Sequence, residues 1–461
     1  MRLTKTGLTA VALALGLTLS GVQAQQLDLL QTWQLALQHD PQYKADEAAA
    51  RAGATQTGQA RSLWLPTVGA SATAGRGGHK STTEGANFSA APLNMNSNGV
   101  EFKNSISNGN LRAYELGITQ PLLNRERLAQ IRQLRLGAEV AELQWLQARQ
   151  QLILRVVERY FDVLVARQTA QLLEQQYAQA SKAQQETQAR YELGDRPATD
   201  NHEATAQART LEARLLQARM RQQLAETAYA DLTGSQTQQL RAIDLEEPVA
   251  KPQLDSLAQW LEDVLHINPA IQMQSKGVRI AEEQIASYSG WQSPTLDLVG
   301  RLSHEKLDGS GRYGSAVNKA DDWMVGVQLN VPIFTGGYRS AKRKEAVFQH
   351  EQQQAQALNV RQQIQQHTRT AWHAVQVSAQ QVDALQQALQ ASKLRSESTR
   401  LGHQLGDKTT LEALDADNQM TSIQIELLNA KVALIVHQLQ LAALVGALEQ
   451  QHLAQANQYL Q

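Results

Sequence analysis

Two long stretches of this chain contain no proline. The ten prolines stand at 41, 66, 92, 121, 197, 248, 252, 269, 294 and 332, which leaves 122–196 and 333–461 open. Proline removes a backbone donor and clashes with the preceding helical turn, so tracts without it are where long helices can run. Between 125 and 190 the only glycine is Gly137. A helix over those residues, rising about 1.5 Å per residue, is roughly 100 Å long. That is several domain diameters, so such a helix needs partners along its whole flank. The residues at 364–389 show how it could have them. Ile364, Thr368, Ala371, Val375, Ser378, Val382, Leu385 and Leu389 recur in steps of four and three, every one apolar or small. This is a coiled-coil seam with small knobs, suited to close side-by-side packing. The remaining faces are rich in Gln, Arg, Glu and Ala, as expected beside water. Long helices are predicted at 125–190, 198–233, 338–404 and 409–445.

Shorter segments of another character lie between them. Residues 66–74, 111–119, 295–303 and 322–331 have small or alternating side chains bounded by Pro or Gly, and read as four strands. Each pair is joined by a stretch rich in Gly, Ser, Asn and Thr, 75–110 and 304–321, read as polar loops. Long loops at one end and short connections at the other fit an outer-membrane barrel. Trp64, Tyr114, Trp291 and Trp323 are the candidates for its interfacial aromatic belt.

An internal repeat ties these pieces together. Asp40-Pro41 recurs as Asn268-Pro269, and Pro66 as Pro294. Gln120-Pro121-Leu122-Leu123 answers Val331-Pro332-Ile333-Phe334, Leu193-Gly194-Asp195 answers Leu405-Gly406-Asp407, and Leu232-Thr233-Gly234 answers Leu444-Val445-Gly446. Each half reads helix, strand, loop, strand, very long helix, turn, long helix. The first half is placed at 25–240, a linker at 241–255, the second half at 256–448 and a tail at 449–461. The fold class is mainly α with a small β part. Two strands per half make four, too few to close a barrel of useful width, since about eight are needed even to enclose packed side chains. Several chains must therefore share one barrel.

The N-terminus is an address. Arg2 and Lys5 form a basic region, residues 8–19 a short apolar run, and Val22-Gln23-Ala24 a small-residue cleavage site, together a secretory signal peptide at 1–24. Its removal takes two of the 43 basic residues and leaves 44 acidic ones, a slightly acidic mature chain. Nothing downstream offers 18 continuous apolar residues, so membrane entry is expected through strands. The near-balanced charge offers no basic stripe for nucleic acid. The absence of cysteine removes disulfides, thiolate chemistry and a lipid-anchored N-terminal cysteine.

Catalytic patterns are weak. Gly309-Ser-Gly311-Arg-Tyr-Gly314 matches a phosphate-loop spacing, but a strand follows it, so no helix N-terminus faces a phosphate. His367 and His373 stand six apart, the wrong spacing for two ligands on one helical face. No Ser, His and Asp set converges. No enzyme and no cofactor is expected.

The two-fold repeat, Ala-Leu-Gln-His-Asp-Pro at 36–41, Gln-Pro-Leu-Leu, Val-Pro-Ile-Phe-Thr-Gly-Gly, Arg-Tyr-Glu-Leu-Gly at 190–194 and Leu-Glu-Ala-Leu-Asp-Ala at 411–416 resemble the TolC-type outer membrane efflux proteins. The resemblance covers essentially the whole mature chain. It implies a homotrimer with a 12-stranded barrel in the outer membrane, four strands per chain, continued by an α-helical coiled-coil barrel across the periplasm. It also implies the partners: outer membrane lipid, a periplasmic membrane fusion (adaptor) protein and an inner-membrane ABC or RND transporter. The duct would close at the turns 193–200 and 405–415. At the family's gating positions this chain has His403, Gly406, Lys408, Glu412 and Asp415, with histidine in place of tyrosine and lysine in place of arginine. In the first turn Thr199 and Asp200 match the acceptors, with Tyr191 and Arg196 as further candidates. Lys408 and His403 are expected to pair with Asp200 or nearby backbone. The function so implied is a passive channel-tunnel, with type I protein secretion favoured because residues 196–203 resemble the tip of secretion components. The alternatives are a multidrug efflux outlet and a periplasmic coiled-coil adaptor.

Overall fold

The computed structural model describes residues 27–195, 197–235, 240–246, 254–290, 293–458 and 460. The expected signal peptide lies outside them, as do Arg196 and Trp291.

The chain runs α1 (Leu29–His39), α2 (Pro41–Ser62), β1 (Thr67–Ala90), β2 (Met95–Leu123), α3 (Arg125–Glu192) and α4 (Ala198–Thr233). It then repeats the order as α5 (Leu257–Ile267), α6 (Pro269–Tyr288), β3 (Thr295–Gly311), β4 (Gly314–Asn330), α7 (Tyr338–Leu405) and α8 (Thr410–Leu444), and ends with α9 (Gln450–Asn457). The two very long helices, α3 and α7, have 68 residues each.

The opening helix of each half is two helices, and the duplicated Asx-Pro pair is the reason. Asp40 accepts the amide of Gln42 at 3.1 Å, and Asn268 accepts those of Ala270 and Ile271 at 2.9 and 3.1 Å. Each is an N-cap, and the proline after it occupies the first helical position, where its missing N–H costs nothing. Arg155 of α3 forms an ion pair with the buried Asp40 and so locks this corner to the long helix.

The stretches at 75–110 and 304–321 are strand rather than loop. All four strands form one antiparallel sheet in the order β1-β2-β3-β4. β1 pairs with β2 from Thr67↔Thr119 to Ala90↔Met95, and β3 with β4 from Thr295↔Asn330 to Gly311↔Gly314. The ladder runs on through polar sequence because no proline removes a donor between Pro66 and Pro92. Pro92 itself lies in a 3-10 turn, Ala91–Leu93, that closes the hairpin. Backbone pairing carries these extensions without an apolar face.

The coiled-coil seam on α7 faces α8. Val375, Val382 and Leu389 are buried against Leu427, Ala430, Leu434 and Leu441, with Ala371 and Leu385 at the margin. Ser378 hydrogen-bonds His437 at 2.9 Å within this seam, and burial lowers the His437 pKa. Near the middle of the helices the ends of the chain wrap around them. Leu29, Ile243, Leu453 and Leu460 pack with Tyr160, Phe161 and Tyr229 of α3 and α4. Tyr160 donates to the carbonyls of Leu27 at 3.0 Å and Arg241 at 3.2 Å, and its burial raises the phenol pKa strongly. Lys431 of α8 is fully buried here and donates to the carbonyls of Asp244 and Leu245 at 2.8 and 2.9 Å.

Among the described helices α8 alone has the length and apolar composition of a membrane span. Its apolar side chains are instead taken up by protein: Leu427, Leu428, Leu434, Ile435 and Leu441 are all buried against neighbouring helices.

Candidate functional site: membrane band and helical tip

Side chains alternate between the two faces of a sheet, so the register assigns every strand residue to one face. One face carries Val68 and Ala70 of β1, Leu116 and Ile118 of β2, Leu298 and Leu302 of β3, and Trp323, Val325, Val327 and Leu329 of β4. Cross-strand pairs stack them into rows: Leu302 lies opposite Trp323, Leu298 opposite Val327, and Leu296 opposite Leu329. The side chains are left uncovered by the chain itself, Trp323 being 79% and Val325 71% exposed. From Leu329 to Trp323 this face bears no charge over about 20 Å of strand. The other face is polar, with Thr67, Ser71, Thr119, Asp297 and Gln328, and an ion pair between Glu115 and Arg301 at 3.2 Å. An apolar face of this height backed by a polar one is the cross-section of a barrel wall.

The three described aromatic candidates fall at its two edges. Tyr114 and Trp323 are exposed on the same face, Tyr114 opposite His304 and Trp323 opposite Leu302, two residues away on β3. Trp64 lies at the other end, half-buried in the turn after α2, with its carbonyl accepting from Gln120 Nε2 at 2.8 Å. Just below, Phe334 is 87% exposed at the start of the segment leading to α7, an apolar edge residue that sequence reasoning used only as a repeat marker.

At the opposite end of the long helices lie the two turns. Both are built the same way. Gly194 (φ +78°) sends its N–H to Tyr191 O and Asp195 sends its own to Arg190 O; Gly406 (φ +88°) bonds His403 O and Asp407 bonds Gly402 O. A six-to-one and a five-to-two bond around a left-handed residue terminate each helix, and glycine takes that conformation without steric cost. The next helix starts at once: Thr409 and Glu412 form a reciprocal capping box at the head of α8.

The structure places the expected tip residues as follows. Lys408 Nζ donates to Glu412 Oε1 at 2.7 Å, and His403 Nε2 meets Thr410 Oγ1 at 3.1 Å. Both contacts lie within the second turn rather than on Asp200. The i,i+4 spacing brings Lys408 to a carboxylate that the cap has already fixed, and this local geometry wins over a longer reach. The Lys408 ammonium, then the Thr409 amide and hydroxyl, hold the Glu412 carboxyl down at about 2. Asp200 and His403 do share a site. With Glu186, Arg190, Thr409 and Thr410 they line a cavity of about 60 Å³ between the two turns. Tyr191 and Thr199 are exposed, and Leu193 at the first turn is 83% exposed. Asp415 is exposed and meets Arg395 at 3.5 Å.

Sequence reasoning missed the pairs that bridge each helical hairpin. Asn201 donates to Gln188, Arg400 contacts Asp417 at 3.1 Å, and Ser396 donates to Asp417. The signal was present for two of them: Gln188 and Asn201 stand six and seven residues from Gly194, and Ser396 and Asp417 ten and eleven from Gly406, as antiparallel helices require. Among the described residues no group of three or more His, Asp or Glu could hold a metal ion.

Comparison with known proteins bears on this architecture. The family model described as outer membrane efflux protein matches residues 32–235 and 260–447, the two halves of the repeat. The chain belongs to the outer membrane efflux protein family. Among relatives, the proteases secretion protein PrtF of Dickeya chrysanthemi is 26% identical over 98% of this chain and 95% of its own length. The outer membrane protein TolC of Escherichia coli (strain K12) is 25% identical over 97% and 88%. Among solved structures, the Campylobacter jejuni CmeC outer membrane channel superposes with a TM-score of 0.73 at 19% identity, over 94% of this chain and 90% of that one. The outer membrane protein VceC of Vibrio cholerae gives 0.69 at 17%, over 91% and 97%. As a member of this efflux protein family the chain is an outer membrane channel that extends into the periplasm, a transport conduit and not an enzyme.

Proposed function

We propose that three copies of this chain form one duct, a 12-stranded barrel set on a barrel of helices, which passively passes proteins exported by a type I secretion system. The apolar face of the sheet carries the reading: four strands have a lipid-facing band but two unpaired edges, β1 and β4, and edge strands left open in a membrane are not tolerated. Joining β4 of one copy to β1 of the next closes the ring. Energy and cargo choice belong to partners, an inner-membrane ABC transporter and a periplasmic adaptor that grips the helical tip. Secretion is favoured over multidrug efflux through an RND-type pump because two relatives spanning over 90% of this chain, PrtF and the alkaline protease secretion protein AprF of Pseudomonas aeruginosa, are named for protease secretion. The test is deletion of the gene. Loss of one or a few large secreted proteins with unchanged drug tolerance is expected; unchanged secretion with hypersensitivity to dyes, detergents or antibiotics would make the duct an efflux outlet.

The tip is the resting constriction in this reading, with Tyr191, Arg196, Thr199, Asp200, His403, Lys408, Glu412 and Asp415 lining it and Trp64, Tyr114, Trp291 and Trp323 seating the barrel at the lipid interfaces. Fully exposed ion pairs of this kind are weak because water screens them, so a docked partner can displace them. Lys408→Ala in planar bilayers should conduct better than the parent. Glu412→Gln should do the same at neutral pH. Because Glu412 is held at about 2, its pair with Lys408 is intact above its ordinary range and is lost only as pH falls through the lowered value. Parent and Glu412→Gln should therefore converge only near pH 2. Unchanged conductance in Lys408→Ala would count against a constriction that depends on the Lys408–Glu412 pair.

A further inference from the structure

Beyond the aromatic row, the apolar face of the sheet meets a line of cations. The register sets Arg112 opposite Lys306 and Lys306 opposite Lys319, on three neighbouring strands. Arg112 stands two residues from Tyr114, Lys306 four from Leu302 and Lys319 four from Trp323. Even spacing keeps all three on the face that carries the apolar band. With neighbouring strands about 4.8 Å apart, the three are rooted within roughly 10 Å of one another.

Like charges directly opposite in a ladder repel, so such a row calls for an opposing charge. Among the described residues none of the three forms an ion pair. Two carboxylates share the face within one row. Asp321 lies on the helix side and is engaged by His304 at 2.5 Å; Asp308 lies on the turn side, in the row that also holds Arg76. The patch remains cationic.

Its depth is defined by what lies beneath it. The charge-free face ends at Trp323 and Tyr114, and the cations follow within about 7 to 13 Å along the strands. The long helices leave from the other end of the sheet, so this edge faces the cell exterior.

We propose that Arg112, Lys306 and Lys319 bind the phosphate groups of lipids in the outer leaflet. The inference rests on the barrel reading above, which puts this face against lipid. Leu116, Leu302, Trp323 and Val325 receive the acyl chains, the guanidinium of Arg112 takes two phosphate oxygens in its planar fork, and the lysines add point charges on either side of the headgroup. A free phosphate would gain nothing from the apolar rows, so the occupant is the lipid. A closed trimer carries nine such cations around its rim.

The full-length protein, reconstituted and then extracted in mild detergent, tests this by lipid co-purification. The probes are lipid A, the same lipid with its phosphates removed, and inorganic phosphate alone. Phosphorylated lipid should be retained roughly tenfold over the dephosphorylated form, and inorganic phosphate should not displace it. The triple variant Arg112→Gln, Lys306→Gln, Lys319→Gln should lose that preference, while Lys306→Arg with Lys319→Arg keeps it. Equal retention of both lipids by a protein that inserts and conducts overturns the site and leaves the channel standing. Displacement by inorganic phosphate overturns the lipid as occupant. A chain that inserts into neither kind of bilayer overturns the barrel reading and the site with it.

Discussion

Val325→Arg should abolish the outer-membrane form of this protein. Val325 sits on the apolar face of β4 between Trp323 and Val327, opposite Gly300, and its side chain touches little of its own chain. An arginine at mid-depth on the lipid face of a barrel costs about 2–4 kcal/mol, and a trimer meets that cost three times over. Assembly should fail, read as loss of the proposed trimer from the outer-membrane fraction. The control is one that burial alone could not anticipate. Gln328 is also on β4 and is also exposed, but it faces the polar side opposite Asp297. Gln328→Arg places a cation beside a carboxylate on the polar face and should assemble normally. If both variants assemble equally, the assignment of faces is wrong.

Lys431→Met should destabilise the packed helices more than loss of any exposed charge. The ammonium is fully buried in α8 and bonds the carbonyls of Asp244 and Leu245, holding the segment 240–246 against the helices. Methionine fills a similar volume but donates nothing, so both carbonyls lose the ammonium that holds them. The expected loss is about 2–4 kcal/mol, from the hydrogen bonds of a charged donor and the desolvation of what remains. Lys393→Ala supplies the comparison. Lys393 meets Glu246 of the same segment at 2.6 Å, but on the surface, where water screens the pair and its loss costs about 0 to 1 kcal/mol. Denaturant melts of the two variants should separate clearly; coincident curves would show that Lys431 carries no special weight.

Lys431 also shows where the sequence stops being legible. Its partners stand 187 and 186 residues away, and nothing local in an Ala- and Leu-rich helix marks it as a tether. The same holds for the wrapping of the chain ends, where Leu453 and Leu460 reach Tyr160 across most of the sequence. The long helices were legible because proline acts locally: its absence alone leaves room for α3 and α7. The strands were legible only where they alternate. Between 75 and 110 the pairing rests on backbone hydrogen bonds, to which side-chain pattern is blind, and the hairpin reads as loop. At the tip, residue types and turn glycines were visible, but the partner of Lys408 was decided by a helix cap three residues wide, a choice that family resemblance could not make.

The equal length of α3 and α7, 68 residues each, has a consequence for how such a chain can change. Both helices leave the sheet at one end and reach their turns at the other, so they act as two rulers that must agree. An insertion of seven residues in one alone would displace its turn by about 10 Å and separate the walls of the cavity that Asp200 and His403 share. Growth or shrinkage is tolerated only in matched steps, in both halves together and in whole helical turns. The depth of the periplasm that this duct can cross is thus written twice in one gene, and neither copy is free to drift without the other.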